Sequence, residues 1–423
     1  MDFLVLVRRS VRVFALAGVL LASPASAQST VRDGVLWTDA SVAARAAQHS
    51  PEVSRARTGL YEAQALSAFT SLPRIGNPTV GVRAMVGAPD LPAATYSLLV
   101  GMPIEVSGAP AQWRHESRWA VREAEGRIDL ALNEACAEAR QAWVDAAAAQ
   151  AALVLVQDQF RTANQLLSAT QARVQAQTAT ALDLALAEQE VHDAEAARLT
   201  AQRERDDALG RMRELLALDP REPVAVSELG TLTIQSEMTR ERAIALALQN
   251  RRELTVLGAS AARSRVSQTR LHHQATAPIF IAAEVEWQGY STASVGASAQ
   301  WSLPVSLTNQ GERAAAEAQA RAADEQRTIA ENSLANQAAI AWDQLAHRLE
   351  ELALLDTRAL PTAQRVFSLT EALFRAGTVD SYRLLRARDE VYQQQQRRLD
   401  ALRSAWRARV QLDRATGRAS NPS

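Results

Sequence analysis

The chain repeats itself. Pro78-Thr79-Val80 opens a strand-like run, and Pro278-Ile279-Phe280 opens another; Pro103 ends the next such run and Pro304 ends its counterpart. Ala176-Gln177-Thr178 pairs with Ala376-Gly377-Thr378, Glu190-Val191 with Glu390-Val391, and Ser50-Pro51-Glu52-Val53 with Asn250-Arg251-Arg252-Glu253. An offset of about 200 residues is too long for a solenoid, whose units run roughly 20–50 residues. Each copy places two short strands between very long helices, an order that few ordinary globular folds use.

The helices are written in the composition. Hydrophobic residues make up 47% of the chain but aromatic ones only 5%, so Ala and Leu carry the apolar content, with Arg, Glu and Gln beside them. From Ala111 to Arg173 there is no Pro and a lone Gly126, and a second long segment runs from Ala181 to Leu218. The second copy repeats this from Gln310 to Pro361, on to Arg375, and then from Val379 to Thr416. At ~1.5 Å per residue the first of these would span on the order of 95 Å, so the helices must pack side by side rather than round one core. Pro220, Pro223 and Gly230 mark the break between copies, read as a side feature at mid-height. Ser50 is expected to cap a helix that starts at Pro51, Thr38 or Asp39 an earlier one, and Asn250 to play the part of Ser50 in the second copy.

The strands alternate. Ile279, Ile281, Ala283, Val285 and Trp287 interleave with Phe280, Ala282, Glu284, Glu286 and Gln288, and Val295, Ala297, Ala299, Trp301 and Leu303 with Ser294, Gly296, Ser298, Gln300 and Ser302. Val80, Val82, Ala84 and Val86 share a face in the less regular first copy, with Thr79, Gly81, Arg83 and Met85 opposite. Period-two alternation over roughly ten residues is the pattern of a membrane β-barrel strand, lipid outside and water inside; a small soluble sheet packed on the helices is the other reading. Four strands cannot close such a barrel, since the smallest known have about eight, so lipid-facing strands require several chains. Glu284, Glu286, Ser298 and Gln300 are the barrel-lumen candidates.

Residues 1–27 read as a cleaved signal peptide: Arg8, Arg9 and Arg12, then the apolar run Val13–Ala22, then Ala25-Ser26-Ala27. The net charge of -1 argues against a general polyanion-binding role, and nucleic acid is not an expected partner. There is no Lys, which excludes a Walker P-loop and a Schiff-base lysine. Cys136 is the single cysteine; it cannot form an intrachain disulfide, lies far from the cleavage site where a lipid-anchor cysteine would sit, and reads as a small buried helix residue. His272-His273 point in different directions on a helix and do not make a metal pair. No catalytic constellation, cofactor motif or metal motif is present, so no enzyme activity is expected.

Gly76-Asn77-Pro78-Thr79-Val80, Met102-Pro103-Ile104-Glu105-Val106-Ser107-Gly108, Leu303-Pro304-Val305-Ser306-Leu307-Thr308-Asn309-Gln310-Gly311-Glu312, and Phe374-Arg375-Ala376-Gly377-Thr378 followed by Leu384-Leu385 and Asp389 carry a resemblance. In order and spacing they resemble the TolC-type outer-membrane efflux proteins across essentially the whole mature chain, nearest the metal-cation branch of RND-type systems. The resemblance implies a mainly α fold with a transmembrane β part: two helix-strand-strand-helix repeats per chain, and a homotrimer forming one 12-stranded β-barrel continued by an α-helical barrel. It implies repeats at 28–219 (strands about 78–87 and 96–103) and 237–417 (strands about 279–288 and 294–303), an equatorial segment at 220–236 and a tail at 418–423. It further implies an outer-membrane location reaching into the periplasm, with a periplasmic adaptor, an inner-membrane pump and outer-membrane lipid as partners. Gln177, Thr178, Gly377, Thr378 and Val379 would form the adaptor-contacting hairpin tips, and Asp183, Asp380, Arg383 and Arg386 the periplasmic aperture. The family commonly has acids where Arg383 and Arg386 stand. These arginines either pair with Asp183 or Asp380, or face solvent, or narrow a less cation-selective aperture. Only Gly377 has glycine's freedom at positive φ, so the two tips are expected to differ in flexibility. A type I protein-secretion duct and a non-conducting structural coiled coil of the envelope are the alternatives.

Overall fold

The computed structural model describes residues 36–71, 77–85, 94–233, 238–288, 292–302, 309–376 and 378–420. The expected signal peptide, both strand turns, the 303–308 exit motif and Gly377 lie outside the described residues.

The element order repeats. The first copy runs α1 (Asp39–His49), α2 (Pro51–Ser71), β2 (Thr79–Met85), β3 (Thr95–Ile104), α3 (Ala109–Gln175) and α4 (Ala181–Leu215). The second runs α5 (Arg240–Asn250), α6 (Glu253–Gln274), β5 (Ile279–Gln288), β6 (Thr292–Trp301), α7 (Gln310–Leu354), α8 (Leu360–Arg375) and α9 (Ser381–Ala415). Two short strands, β1 (Leu36–Trp37) and β4 (Ala225–Val226), pair in parallel outside this scheme. With 67 residues α3 is about 100 Å long. No described helix is long and apolar enough to cross a membrane.

Local chemistry sets the helix ends. Thr38 and Ser41 form a reciprocal capping box on α1, and Thr239 caps α5 by accepting the Arg242 N–H at 3.2 Å. Ser50 Oγ accepts the Glu52 N–H at 3.2 Å at the start of α2. Asn250 does not repeat that role: it is the last residue of α5, α6 begins only at Glu253, and the Asn250 side-chain amide donates to the Thr416 carbonyl instead. The chain stays helical through Pro361 to Arg375. A π-turn at Leu355–Ala359 precedes Pro361, widening the helix where proline lacks a donor and its ring would meet the preceding carbonyl.

Small residues let the long helices approach. Ala137, Ala139, Ala146, Ala338 and Ala339 are buried between them. A side chain at Gly126 on α3 would meet Val256 Cγ2 of α6 at 2.7 Å. The largest apolar cluster lies at mid-length of α3, where Trp37, Val42, Ala46, Cys136, Trp143, Met212, Leu216 and Val410 meet. The segment between the copies packs there too: Val224, Val226 and Leu229 lie on this cluster, and Trp406 Nε1 donates to the Gly230 carbonyl at 2.9 Å. Arg140, 2% exposed, makes a two-point contact with Asp39 (2.6 and 2.9 Å) and reaches Asp413 at 3.0 Å, tying α1, α3 and α9 together. Cys136 lies in the same cluster, its Sγ donating to the Ala43 carbonyl at 3.4 Å, and burial pushes the thiol up to about 11.

Candidate functional site

β2, β3, β5 and β6 form one antiparallel sheet in that order. The register separates two faces. Rows Val80–Val100–Ala283–Ala297, Val82–Leu98–Val285–Val295 and Ala84–Tyr96–Trp287–Ala293 cross all four strands without a charged or hydrogen-bonding aliphatic side chain. Val82 is 78% and Val295 80% exposed, so this apolar face is open in the single chain. Tyr96 and Trp287 sit side by side at one end, and Trp301, opposite Ile279, marks the other. Between Ile279 and Trp287 lie about 26 Å of strand at roughly 3.3 Å per residue.

The opposite face holds the predicted polar positions. Glu286 stands between Ser97 and Ser294, in the row that includes Arg83; Glu284 stands between Leu99 and Gly296; Ser298 is opposite Ala282 and Gln300 opposite Phe280. This face is less uniformly polar than the alternation in β5 and β6 suggests. Leu99, Pro103 and Phe280 belong to it, and Phe280 with Ala282 fills the space over Gly101, where a Cβ would come within 2.6 Å of both. Among the described residues the sheet has two unpaired edges, β2 and β6, and their directions are opposite.

The other end of the molecule is formed by the two helical hairpin tips. Each closes with the same contacts. The Thr178 N–H and hydroxyl both donate to the Arg173 carbonyl (2.8 and 3.1 Å), and those of Thr378 to the Leu373 carbonyl (3.0 and 2.9 Å). Gln177 takes φ 57, the left-handed conformation expected of a glycine at its place. Glutamine lacks glycine's freedom there, and the backbone and hydroxyl contacts of Thr178 hold the turn against a cost of roughly 1–2 kcal/mol. The tips also touch each other, with the Arg173 guanidinium 4.9 Å from the Phe374 ring centre.

The aperture candidates divide into caps and free cations. Asp183 closes a capping box on α4, its Oδ2 accepting the Thr180 N–H at 2.9 Å and the hydroxyl at 2.7 Å. Asp380 is itself the N-cap of α9 and accepts the Arg383 backbone N–H at 2.9 Å. Of the alternatives for Arg383 and Arg386, a side-chain pair with either acid is not formed among the described residues, and both arginines are exposed. Each acid already serves backbone donors at a helix start, which fixes its direction. Val379 is half-buried, and Gln177 and Thr178 are exposed.

Sequence reasoning missed a polar cluster one to two turns further from the tips. Glu190 of α4, Arg388 and Asp389 of α9 and Gln159 of α3 meet there, with Arg388 donating to the Gln159 carbonyl at 3.3 Å. Burial, then the neighbouring Asp389 carboxylate, pushes the Glu190 carboxyl up; burial also pushes Asp389 up and Arg388 down. The sequence signal was the Glu190/Glu390 register of the two copies, which places charges at one level of both hairpins.

Residues 244–418 match the family described as outer membrane efflux protein. Curated proteins give no match to the sequence. Solved structures match over nearly the whole fold. A structure described as showing conformational changes of CusC on folding and transmembrane channel formation has a TM-score of 0.74 at 14% identity, covering 90% of this chain and 92% of that one. The CmeC outer membrane channel of Campylobacter jejuni gives 0.73 at 10% identity, over 94% and 92%. The outer membrane protein VceC of Vibrio cholerae gives 0.72 at 15% identity, over 89% and 95%. The fold is that of these TolC-type channels: long helical hairpins carrying a small antiparallel sheet.

Proposed function

We propose that this chain, a TolC-type fold whose second half matches the outer membrane efflux proteins, is the exit duct of a tripartite efflux system. The carrying observation is the four-stranded sheet, apolar and exposed on one face and unpaired at both edges. A sheet edge in hydrocarbon leaves backbone donors and acceptors without partners, so it must close. Because β6 and β2 run in opposite directions, β6 of one copy can pair antiparallel with β2 of the next. Three copies give twelve strands, an even number within the range of such barrels. The apolar rows then face outer-membrane lipid, with aromatic residues at both rims, and Glu284, Glu286, Ser298 and Gln300 face water. At a tilt of 35–45° the strands give an apolar band about 20 Å tall, suited to a membrane thinner than average.

Beyond the sheet, α3, α4, α6, α7, α8 and α9 line a passage through the periplasm, divided as repeats 28–219 and 237–417 about the segment 220–236. The duct is passive. Energy enters from an inner-membrane pump through a periplasmic adaptor that meets the hairpin tips at Gln177, Thr178, Gly377, Thr378 and Val379. Asp183, Asp380, Arg383 and Arg386 surround the aperture, and the three Arg383 side chains of a trimer make it less cation-selective. Planar-bilayer recording of the purified protein tests the duct: stepwise conductance is expected, and its absence in a well-folded trimer would identify a structural coiled coil instead. In the same recordings Arg383→Glu is expected to shift selectivity toward cations; unchanged selectivity removes Arg383 from the aperture.

A further inference from the structure

The first turns of α3 carry a charge pattern that the duct does not explain. Arg114, Arg118 and Arg122 follow one another at i, i+4 and i+8, all three exposed, and none forms an ion pair among the described residues. Elsewhere the chain fills such spacings with opposite charges, as in Arg127–Glu123, Arg321–Glu317, Arg327–Glu331 and Arg375–Glu371. Two nearby acids are engaged with α6, Glu116 with Arg270 at 2.7 Å and Glu123 with Arg263 at 3.1 Å; Glu125, exposed one turn past Arg122, is the single acid on the stripe's own side and leaves Arg114 and Arg118 in excess. Like charges at i, i+4 destabilise an isolated helix, so the stripe is a standing cost unless an anion meets it.

Its direction is fixed by what packs on the rest of α3. Ser117 turns to α2, where its hydroxyl lies 2.9 Å from that of Thr70, and Glu116 turns to α6. Arg118 is separated from Cys136 by a whole number of turns, about five, so the two share a face. Lower down that face is covered by α1, through Cys136 and Ala43. At the level of the arginines it is open.

Its height is fixed by the sheet. β3 ends at Ile104, in the row that contains Ile279 and Trp301, and α3 starts at Ala109 after a short link that includes the exposed Val106. Arg114 and Arg118 lie about 7 and 13 Å along α3 from its start. A headgroup layer roughly 5–8 Å deep lies outside the hydrocarbon, and arginine side chains reach several ångströms along the surface to place their charge there. Trp119, half-buried beneath Arg122 with the guanidinium 4.7 Å from its ring, adds an aromatic at the same level.

We infer that this outward face of α3 is a lipid-binding collar: Arg114 and Arg118, with Arg122 beyond them, bind the phosphates of anionic glycerophospholipids in the periplasmic leaflet. The inference rests on the membrane placement of the sheet proposed above. The short link from β3 to α3 and the excess of positive charge on this face both favour lipid over a protein partner.

The test is native mass spectrometry of the full-length assembly released from detergent, with phosphatidylglycerol or phosphatidylcholine added. Wild type is expected to retain phosphatidylglycerol at roughly tenfold lower lipid concentration or better, with each arginine contributing up to about fivefold. Arg114→Gln with Arg118→Gln should bring the two lipids within about twofold, the two lysine replacements should keep most of the preference, and Arg122→Gln should do least. Equal retention of both lipids by wild type overturns the collar, as does a preference that survives the double glutamine variant. Loss of binding to a purified adaptor without loss of lipid preference also overturns it, assigning the face to protein. Planar-bilayer conductance of the same preparations in neutral lipid reads the duct separately. A conducting wild type without lipid preference sinks the collar alone, and a lipid-selective protein that never conducts sinks the duct alone.

Discussion

Trp143 and Trp342 do the same thing in the two copies. Each indole N–H donates to the carbonyl just before a capping threonine: Trp143 to Trp37 at 3.1 Å, ahead of Thr38, and Trp342 to Met238 at 2.8 Å, ahead of Thr239. Around this shared contact the copies diverge. The first buries an ionic clamp, Asp39–Arg140–Asp413. The second has small Ala339 in the matching part of its long helix, and its charges meet at the surface as Arg240–Asp343, 3.3 Å apart and about half exposed. One backbone plan accepts either filling; the first copy carries the β1–β4 pair against α3, while Trp406 and Leu402 of the second copy hold the far end of the same segment at Gly230 and Leu229. The difference shows that duplication fixed the path of the chain, while the mid-height packing specialised one copy.

The largest expected effect breaks this comparison at its centre. Arg140→Ala removes the buried partner of Asp39 and leaves Asp413 with Arg409 alone, and should destabilise the protein by about 3 kcal/mol in denaturant titration. Asp343→Ala, at the surface pair of the other copy, should cost no more than about 1 kcal/mol. Equal costs would mean that the copies share one anchoring scheme after all.

At the tips the same contrast takes a smaller form. The first copy uses Thr180 as cap with Asp183 closing the box, while the second moves the acid into the cap itself, Asp380, leaving the third helical position free for Arg383. Asp380→Ala should therefore cost about 1 kcal/mol, and Asp183→Ala a similar or smaller amount, with Arg383→Ala near zero, all read by thermal unfolding. A substantial loss for Arg383→Ala would show that the guanidinium has a structural partner.

The smallest predicted effect concerns the hairpin contact. Glu190 faces Asp389, Arg388, Asp193 and Gln159, and its carboxyl is pushed up chiefly by burial. A carboxyl raised in the folded state favours folding while protonated, and that contribution fades as pH rises through the raised value. The packing of α4 on α9 should therefore be tightest below the ordinary carboxylate range and loosen steadily as pH rises above it toward neutrality. Glu190→Gln should raise the neutral-pH melting temperature slightly and flatten its pH dependence; an unchanged pH profile would show that the cluster is not a proton-sensitive contact. Cys136 offers a control for the mid-height core: buried and raised to about 11, it should resist thiol reagents at neutral pH until the protein unfolds.

Much of the fold was legible because it rests on short-range rules. Alternation in Ile279–Gln288 specifies a two-faced strand, and long runs without proline specify helices. Where the reading failed, a distant contact outweighed the local signal. Asn250 has a capping side chain, but Thr416 takes its amide. The site was less legible than the fold. Glu190, Arg388, Asp389 and the Arg173–Phe374 contact join residues from different hairpins; the repeat register puts their levels side by side, but only packing decides which side chains meet.

The sequence by itself determined the duplication, the helix and strand periods, and therefore a sheet that is apolar on one side and borne on hairpins too long for a single core. Those follow from spacing along one chain. Tertiary structure decided which charges are spent and which remain. It assigned Asp183 and Asp380 to helix caps, buried Arg140 between two acids, and left Arg383, Arg386 and the Arg114–Arg118–Arg122 stripe without ion-pair partners among the described residues. An arginine has the same chemistry in any sequence context. Its role depends on whether an acid lies within a few ångströms in space, which only the packed helices establish.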